Sequence, residues 1–295
     1  MELRSGTILR GVGSFYTVLQ ENTGEQWTLR AKKRFRREHI TPLPGDRILF
    51  SPGEGEEHGW IEEILPRKTL CLRPPVANVE TLVIVLAPEP EADLLLTDRM
   101  AARAFSQGMK VVLAVNKTDL DESLAEQLRD QYAEAGIPVC AVSARERTGL
   151  EELRSLMEGS LCCLSGQSGA GKSSLLNAIL GLSLETGEIS RKIARGKNTT
   201  RHVELLFMGG LRVMDTAGFS LLEPEKNLPP EKLKERYPEF AGYEGKCRFT
   251  ECLHDREPGC AVAEAVRAGK IHPARWDRYR ELLGEIRETW RNRYD

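Results

Sequence analysis

The sequence has no apolar stretch long enough to cross a membrane. None of its 295 residues belongs to a run that approaches the roughly 18 apolar residues of a spanning helix. The opening segment, MELRSGTILRG, has no apolar core for a signal peptide. An excess of one charge is also missing, because 42 Lys and Arg balance 44 Asp and Glu. We therefore expect a cytoplasmic protein without membrane contact, whose nucleic-acid contacts come from local basic patches.

A disulfide framework is also excluded by the cysteine pattern. The count is seven, and an odd number without a signal peptide is typical of reduced thiols. Those that lie in apolar runs are expected to be reduced core residues: Cys71, Cys140, Cys162 and Cys163. The remaining cysteines cluster near the carboxyl end of the chain and need another explanation.

The first part of the chain alternates short apolar and polar runs with turn signals between them. About five short strands fit this pattern, which predicts an OB-like barrel over residues 1–71. Within it, RAKKRFRR (30–37) is predicted to be a basic loop that contacts RNA phosphates, or else an ordinary solvated loop. Residues 72–78, LRPPVAN, are predicted to be a linker, because the Pro pair interrupts regular structure.

The pattern changes near residue 79, where apolar β-branched runs begin to alternate with helical patterns. Buried parallel strands are predicted at 81–87, 110–116, 140–144, 161–166 and 211–215. This alternation predicts an α/β domain at 72–222, with helices on both faces of a parallel sheet. A carboxy-terminal helical module is predicted at 223–295.

One long helix is predicted from Pro273 onward. Its apolar stripe recurs at spacings of three and four residues: Trp276, Tyr279, Leu283, Ile286 and Trp290. We expect this stripe to pack against the rest of the module. The arginines on the other faces could instead meet RNA: Arg275, Arg278, Arg287 and Arg291.

A phosphate-binding loop is predicted between an apolar strand and a helix. The segment fits G-x-x-x-x-G-K-[ST], in which glycines let backbone N–H groups approach phosphates at a helix N-terminus. Lys172 is expected to neutralise the β- and γ-phosphates, and the Ser173 hydroxyl to ligate Mg²⁺. The alternative is a chance Gly-rich turn. The predicted nucleotide-binding residues here are Gly166, Gln167, Ser168, Gly169, Ala170, Gly171, Lys172, Ser173 and Ser174.

A base-recognition element follows the strand at 110–116. Its residues are Asn116, Lys117, Thr118 and Asp119. A carboxylate at Asp119 can accept hydrogen bonds from both guanine donors, a pair that adenine lacks, which selects GTP. Asn116 can tie this segment to the phosphate loop, and the Lys117 stem can cover the base. Ser143 and Ala144, at the end of another strand, would support the base through backbone N–H groups.

Switch elements are predicted after the phosphate loop. Asp215 and Gly218 belong to DTAG, which directly follows an apolar strand. Asp215 can hold Mg²⁺ through water, and the Gly218 amide can sense the γ-phosphate. Either Thr199 or Thr200 would ligate Mg²⁺ in the triphosphate state.

A tetrahedral zinc site is predicted in C-x4-C-x-H-x5-C. Its ligands are Cys247, Cys252, His254 and Cys260. Three thiolates and one imidazole make a full ligand set, so the site would be structural and hold one Zn²⁺ per chain. The alternative is three reduced cysteines beside a surface histidine, which the polarity of the segment disfavours.

The order of these elements resembles one family. The chain has NKTD, SA, the phosphate loop, the switch Thr and DTAG in a circularly permuted order. Together with C-x4-C-x-H-x5-C, this order resembles the RsgA family of small ribosomal subunit biogenesis GTPases, also called YjeQ or YloQ. The resemblance covers essentially the whole chain. It implies a monomeric hydrolase that converts GTP and water to GDP and phosphate, binds the small ribosomal subunit and its rRNA, assists late maturation and is stimulated by the subunit.

The sequence departs from this family at one catalytic position. The family has a G-[RK]-H-T-T pattern, in which the His is considered to position water, whereas this chain has Asn198 there. Phe219 also occupies the position at which Ras-like enzymes place the catalytic Gln. Two hypotheses therefore stay open: a ribosome-stimulated GTPase, and a zinc-containing rRNA-binding assembly factor that binds GTP but hydrolyses it poorly. A metabolic P-loop kinase is disfavoured, because NKTD would have no purpose in it.

Overall fold

A computed structural model describes most of the chain. The described residues are 3–53, 58–72, 75–181, 203–208, 210–216 and 228–292. They group into two compact units. One lies within Met1–Thr81, Met157–Leu164 and Ile179–Phe219, and the other within Leu82–Leu156, Ser165–Ala178 and Ser220–Asp295. No helix among the described residues combines the length and the apolar character needed to cross a bilayer.

The predicted barrel at the start of the chain is confirmed. Its strands are β1 (Arg4–Val12), β2 (Phe15–Gln20), β3 (Gln26–Ala31), β4 (Arg47–Ser51) and β5 (Gly59–Ile64). They close in the order β1-β2-β3-β5-β4. Alternate side chains along each strand point inward. Together with Phe35, which follows β3, these form the barrel core: Ile8, Val18, Leu29, Ile48, Phe50 and Ile61.

Two predictions for irregular structure were wrong. Residues 30–37 do not form a loop, because β3 ends at Ala31 and Lys33–Arg37 form a short helix, α1. Phe35, only 4% exposed, anchors this helix in the barrel core. Residues 72–78 are not a plain linker, since β6 (Leu70–Leu72) and β7 (Pro75–Ala77) pair as antiparallel strands. Pro75 is tolerated as the first residue of its strand.

The central sheet has six strands in the order β10-β9-β8-β11-β13-β12. They are β8 (Thr81–Leu86), β9 (Lys110–Val115), β10 (Val139–Ala141), β11 (Leu161–Ser165), β12 (Val203–Met208) and β13 (Leu211–Thr216). The helices between them are α2 (Leu94–Phe105), α3 (Ser123–Tyr132), α4 (Leu150–Met157) and α5 (Lys172–Ile179). The predicted parallel pairing is observed for β9 with β10 and for β11 with β13. β12 is an antiparallel edge strand that the sequence prediction missed.

The described carboxy-terminal region begins with three short 3₁₀ turns. They span Pro230–Lys232, Lys234–Arg236 and Pro238–Tyr243, and are followed by α6 (Ala261–Arg267) and α7 (Pro273–Arg291). The aromatic stripe of α7 packs as predicted, since Tyr279 and Leu283 are buried in the local core and Trp276 packs against it. The four cysteines predicted to be core residues are buried, and burial raises the pKa of the Cys140 and Cys162 thiols to about 12.

A buried cluster of charges attaches α7 to α2 and α3. Asp98 of α2 is fully buried and accepts hydrogen bonds from Arg275, from Arg278 Nε at 2.6 Å and from the Tyr132 hydroxyl. Arg275 Nε also donates to a Glu239 carboxylate oxygen at 2.8 Å. Burial alone would lower the pKa of Arg275, but the two carboxylates raise it well above its ordinary value. Two cations therefore balance two anions inside the protein.

This cluster argues against the alternative in which the arginines of the last helix meet RNA. Arg275 is 2% exposed and Arg278 is mostly buried against Asp98. Arg287 pairs with Asp255 at 2.8 Å. Of the four arginines, Arg291 is exposed. The sequence pattern failed here because the main acidic partner lies 177 positions away in the chain.

Asp98→Ala should be strongly destabilising. Arg278 would then be buried without a counter-charge, and Arg275 would keep only its bond to Glu239. Removing one partner of a buried ion pair costs about 3–5 kcal/mol. The neighbouring change Arg99→Ala removes a pair with Glu285 whose side chains are 35% and 42% exposed, so it should cost less than about 1 kcal/mol. Urea unfolding followed by near-ultraviolet circular dichroism measures both. Equal losses for the two variants would contradict the assigned role of the cluster.

Candidate functional site

The predicted nucleotide-binding segments follow parallel strands at their carboxyl ends. Residues 116–119 follow β9, residues 143–144 follow β10 and residues 166–171 follow β11. In open α/β sheets, ligands bind beyond the carboxyl ends of the strands. Because their strands lie in one sheet and end on the same side, these three segments come together at one edge, although they are far apart in the sequence.

The side chain of Asn116 holds the three segments together. Its Nδ2 donates to the Ala170 carbonyl oxygen at 2.9 Å, and its Oδ1 accepts from the Ala144 N–H at 3.1 Å. Its own N–H donates to the Leu86 carbonyl oxygen at 2.8 Å, at the end of β8. The predicted tie between Asn116 and the phosphate loop is thus observed. It also extends to the Ser-Ala segment, which the prediction did not include.

Two glycines of the phosphate loop are required by close backbone contacts. Gly171 has φ +88°, and a Cβ there would lie 2.4 Å from Asn116 Nδ2. Gly166 has φ +134°, and a Cβ there would lie 2.1 Å from the Val85 carbonyl oxygen. Any side chain at either position would force the loop away from its neighbours. The two glycines therefore fix the path of the loop.

Lys172 begins α5 and folds back over the loop. Its Nζ donates to the carbonyl oxygens of Gly166 and Gln167, both at 2.8 Å. Partial burial lowers the pKa of its ammonium group. Ser173 and Ser174 are exposed in the first turn of the helix. A lysine, a helix N-terminus and hydroxyl groups in one place form a cradle for a phosphate and its metal ion.

The Asp119 carboxylate is held in place by the Ser-Ala segment. The Ser143 hydroxyl donates to Asp119 Oδ1 at 2.5 Å and accepts from the Glu146 N–H at 3.0 Å. The guanidinium of Arg145 lies 4.0 Å from the other oxygen, Oδ2. Ser143 therefore supports Asp119 through its side chain, a role that the sequence did not indicate. The carboxylate remains an acceptor for a pair of ligand N–H groups.

A fourth segment, residues 87–93 after β8, also contacts the site. The Glu89 carbonyl oxygen accepts from Lys117 Nζ at 2.6 Å. The Asp93 N–H donates to Gln167 Oε1 at 3.1 Å, and the Asp93 side chain caps α2. This segment was not among the site residues predicted from the sequence. The available signal was its position directly after a buried parallel strand, whose carboxyl end lies at the same edge of the sheet.

The switch residues are only partly covered by the structure. Asp215 lies in β13, one residue before the strand ends, where its backbone is in register with Glu204 of β12. The other predicted switch and catalytic residues lie outside the described residues: Asn198, Thr199, Thr200 and Gly218.

The predicted metal ligands converge in the carboxy-terminal region. One ligand atom from each of Cys247, Cys252, His254 and Cys260 lies within 4.8 Å of all the others. His254 Nδ1 is 3.5 Å from the sulfur atoms of both Cys247 and Cys260. Tetrahedral Zn–S bonds of about 2.3 Å place sulfur atoms about 3.8 Å apart. The four groups therefore fit one zinc ion by chemistry and by spacing.

Backbone N–H groups around the cluster donate to the sulfur atoms and partly offset burial, which raises the pKa of the Cys252 and Cys260 thiols. N–H groups of His254, Ala261 and Ala263 donate to sulfur atoms at 3.4–3.5 Å. Hydrogen bonds to the charged form of an acid stabilise that form. The Glu257 carboxylate accepts from the Leu253 and Asp255 N–H groups, each at 2.9 Å, and so shapes the turn between the ligands. The ligand set is therefore complete, and surrounding hydrogen bonds hold the ligand-bearing turns in place.

Family models match most of the chain. Residues 64–225 match the RsgA GTPase model and residues 5–61 match the RsgA N-terminal domain. A relative from Ruminiclostridium cellulolyticum, named "Small ribosomal subunit biogenesis GTPase RsgA", is 41% identical over 97% of this chain and 95% of its own. A relative of the same name from Geobacillus thermodenitrificans is 42% identical over 97% of this chain and 98% of its own.

Solved structures match the whole architecture. YjeQ from Thermotoga maritima superposes with a TM-score of 0.84 at 33% identity, covering 97% of this chain and 99% of its own. YloQ, described as a circularly permuted GTPase, superposes with a TM-score of 0.82 at 31% identity, covering 97% and 96%. Given the phosphate loop, the permuted order of the motifs and this full-length similarity, the chain belongs to the RsgA family of circularly permuted GTPases.

Proposed function

We propose that this protein binds the small ribosomal subunit, assists its late maturation and hydrolyses GTP under stimulation by the subunit. The supporting observation is the Asn116-centred site, in which the phosphate loop meets the Ser-Ala segment that holds the Asp119 carboxylate. The two relatives described above are named as small ribosomal subunit biogenesis GTPases, which supports the ribosomal partner. The protein would act as a monomer in the cytoplasm, where ribosomal subunits mature.

Nucleotide binding would divide between two groups of residues. The N–H groups of residues 166–174 would hold the phosphates, and Lys172 would exchange its two carbonyl contacts for phosphate oxygens. The Asp119 carboxylate, held by Ser143, would accept the two guanine donors. Ser173, with one of Thr199 and Thr200 and with Asp215 through water, would hold Mg²⁺, which supplies charge neutralisation at the phosphates. GDP would keep the base contacts and lose those to the γ-phosphate.

Hydrolysis requires a positioned water in line with the γ-phosphate. The attacking oxygen bonds to phosphorus while the bond to the β–γ bridging oxygen breaks, giving GDP and phosphate. Asn198 can hydrogen-bond this water but cannot act as a base near neutral pH. For this reason the alternative function remains a factor that binds GTP and rRNA but hydrolyses GTP poorly. Phosphate release under multiple turnover, with and without small subunits, separates the two, and Lys172→Ala supplies the background rate.

The zinc ion would stabilise the fold and would take no part in the reaction. The four side chains fill a tetrahedral shell, so no position remains for water or substrate. We also propose the division of the chain into a barrel at 1–71, a GTPase domain at 72–222 and a zinc-binding module at 223–295. In this division the barrel precedes the GTPase domain along the chain and the zinc-binding module follows it. Both would contribute contacts to the subunit.

Asp119→Asn should change the base preference. The amide presents a donor to guanine donors, so GTP affinity should fall at least about tenfold, while binding of xanthosine triphosphate improves. Asp121→Asn is the matched control, because the exposed Asp121 accepts hydrogen bonds from the N–H and hydroxyl of Ser123, and an Asn side-chain oxygen can accept the same bonds. Isothermal titration measures each nucleotide. Unchanged affinities of the Asp119 variant for both nucleotides would refute the base-recognition assignment.

One zinc ion per chain should copurify with the protein. Cys247→Ser or Cys260→Ser should lose zinc and unfold the carboxy-terminal region locally, because a structural zinc ion contributes folding energy directly. Cys71→Ala, which changes a buried cysteine of the other unit, should retain zinc. Metal analysis and amide exchange measure both effects. A wild-type protein that is fully folded after exhaustive metal removal would disprove the structural role.

Asn198→His should raise the rate of phosphate release with small subunits present and leave GTP affinity unchanged. A group that acts only in the transition state alters turnover but not ground-state binding. Asn198→Ala is the comparison that removes hydrogen bonding altogether. If the His variant is no faster than wild type on the subunit, position 198 does not place the water.

A further inference from the structure

The outer face of the barrel carries one row of three exposed or half-exposed side chains. Phe15 of β2 is in register with Arg30 of β3, and Arg30 with Trp60 of β5. Directly paired residues on adjacent strands lie on the same face of a sheet. The neighbouring residues Leu29 and Ile61 are fully buried in the barrel core. The row therefore faces outward, and Trp60 is 42% exposed.

The row alternates rings with a cation. The Arg30 guanidinium lies over the Phe15 ring, 4.6 Å from its centroid. The His58 ring meets Phe15 edge-on, with centroids 4.8 Å apart. Stacking on Phe15 extends the guanidinium over the sheet surface. The outer face therefore carries a ring, a cation stacked on that ring and the exposed indole of Trp60 on three adjacent strands.

The row lies at the position where barrels of this type meet ligands. Phe15 begins β2, directly after the turn that follows β1, and Trp60 is the second residue of β5, directly after the β4–β5 connection. In OB-folds, the connections between strands 1 and 2 and between strands 4 and 5 border the oligonucleotide-binding face. This placement distinguishes the row from aromatic residues scattered over a surface.

Exposed basic side chains follow β3 in the adjoining helix. Lys33, Arg36 and Arg37 of α1 are exposed, whereas Phe35 between them is buried in the core. Lys32 pairs with the Glu62 carboxylate, and Arg34 donates to the Glu62 backbone carbonyl oxygen, so these two cations already have partners in the protein. The basic segment thus offers cations for phosphates but no ring for a base. The rings are supplied by the strands.

We propose that Phe15, Arg30 and Trp60 form a stacking platform for unpaired bases of RNA, with α1 holding the adjacent phosphates. The proposal rests on the proposed function, which supplies an RNA-containing partner. Single-stranded binding by barrels combines ring stacking with a basic track. Duplex RNA fits less well, because its base faces are already stacked within the helix. An apolar protein surface also fits less well, because Arg30 stands at the centre of the row.

The test measures binding of the full-length protein to a fluorescein-labelled 12-nucleotide oligouridine and to a 12-base-pair duplex by fluorescence anisotropy. Trp60→Ala should weaken binding to the single strand about five- to tenfold, the loss expected for one stacked base. It should leave duplex binding and the salt dependence unchanged. Trp60→Phe should stay within about threefold of wild type, because a ring is retained.

Two further variants serve as controls. Phe207→Ala removes an aromatic residue of similar exposure on β12 and should bind like wild type. The combined change of Lys33, Arg36 and Arg37 to Ala should weaken both RNAs and reduce the salt dependence of binding, as expected for phosphate contacts. Far-ultraviolet circular dichroism verifies that each variant is folded.

The outcomes separate this proposal from the proposed function. If Trp60→Ala binds the oligouridine like wild type, or if wild type does not bind it, the platform is refuted, while stimulation of GTP hydrolysis by small subunits would still support the broader function. If Trp60→Ala weakens binding to small subunits but not to naked RNA, the row meets a ribosomal protein and the platform is again refuted. If wild-type protein binds the oligouridine through Trp60 but never binds small subunits, the proposed function fails and the platform stands.

Discussion

The nucleotide site depends on one buried side-chain amide. Asn116 bonds to the phosphate loop with its nitrogen and to the Ser-Ala segment with its oxygen, while its backbone reaches the end of β8. These segments are adjacent in space because parallel strands end at the same edge, whatever order the chain visits them in. A circularly permuted connectivity can therefore preserve the site, provided that the bonds to this amide are kept. Gly171 is part of the same constraint, because any Cβ there would collide with Asn116.

Those parts of the site that use side chains at fixed spacing could be predicted from the sequence. The phosphate loop, Asp119 and the four metal ligands belong to this group, since their chemistry requires particular residue types. The segment at 87–93 could not be predicted in the same way. Its contacts are made by a backbone carbonyl of Glu89 and a backbone N–H of Asp93, which any residue could supply. Only the topology of the sheet reveals its place.

Fold predictions failed where tertiary contacts outweighed local composition. A run of basic residues favours a solvated loop, yet Phe35 inserts into the barrel core and organises a helical turn around itself. A Pro pair favours a linker, yet Pro75 itself begins β7, which pairs with β6 in a small antiparallel ladder. An arginine in an amphipathic helix is expected on the surface. Arg275 is instead buried, because it pairs with Asp98 of α2 and with Glu239 of a 3₁₀ turn. The helix at Lys33–Arg37 and the burial of Arg275 depend on partners distant in sequence, whereas β6 and β7 pair locally within residues 70–77.

The buried charge cluster has a consequence for how the chain could be recombined. Asp98 and Tyr132 belong to helices of the central region, whereas Arg275 and Arg278 belong to the last helix. A chimera that joins the central region of one relative to the final helices of another inherits only half of this cluster unless both sides match. The last helices therefore cannot be exchanged between relatives as an independent unit. Their inheritance is coupled to two positions more than a hundred residues upstream, and substitutions on the two sides are expected to be compatible only as a set.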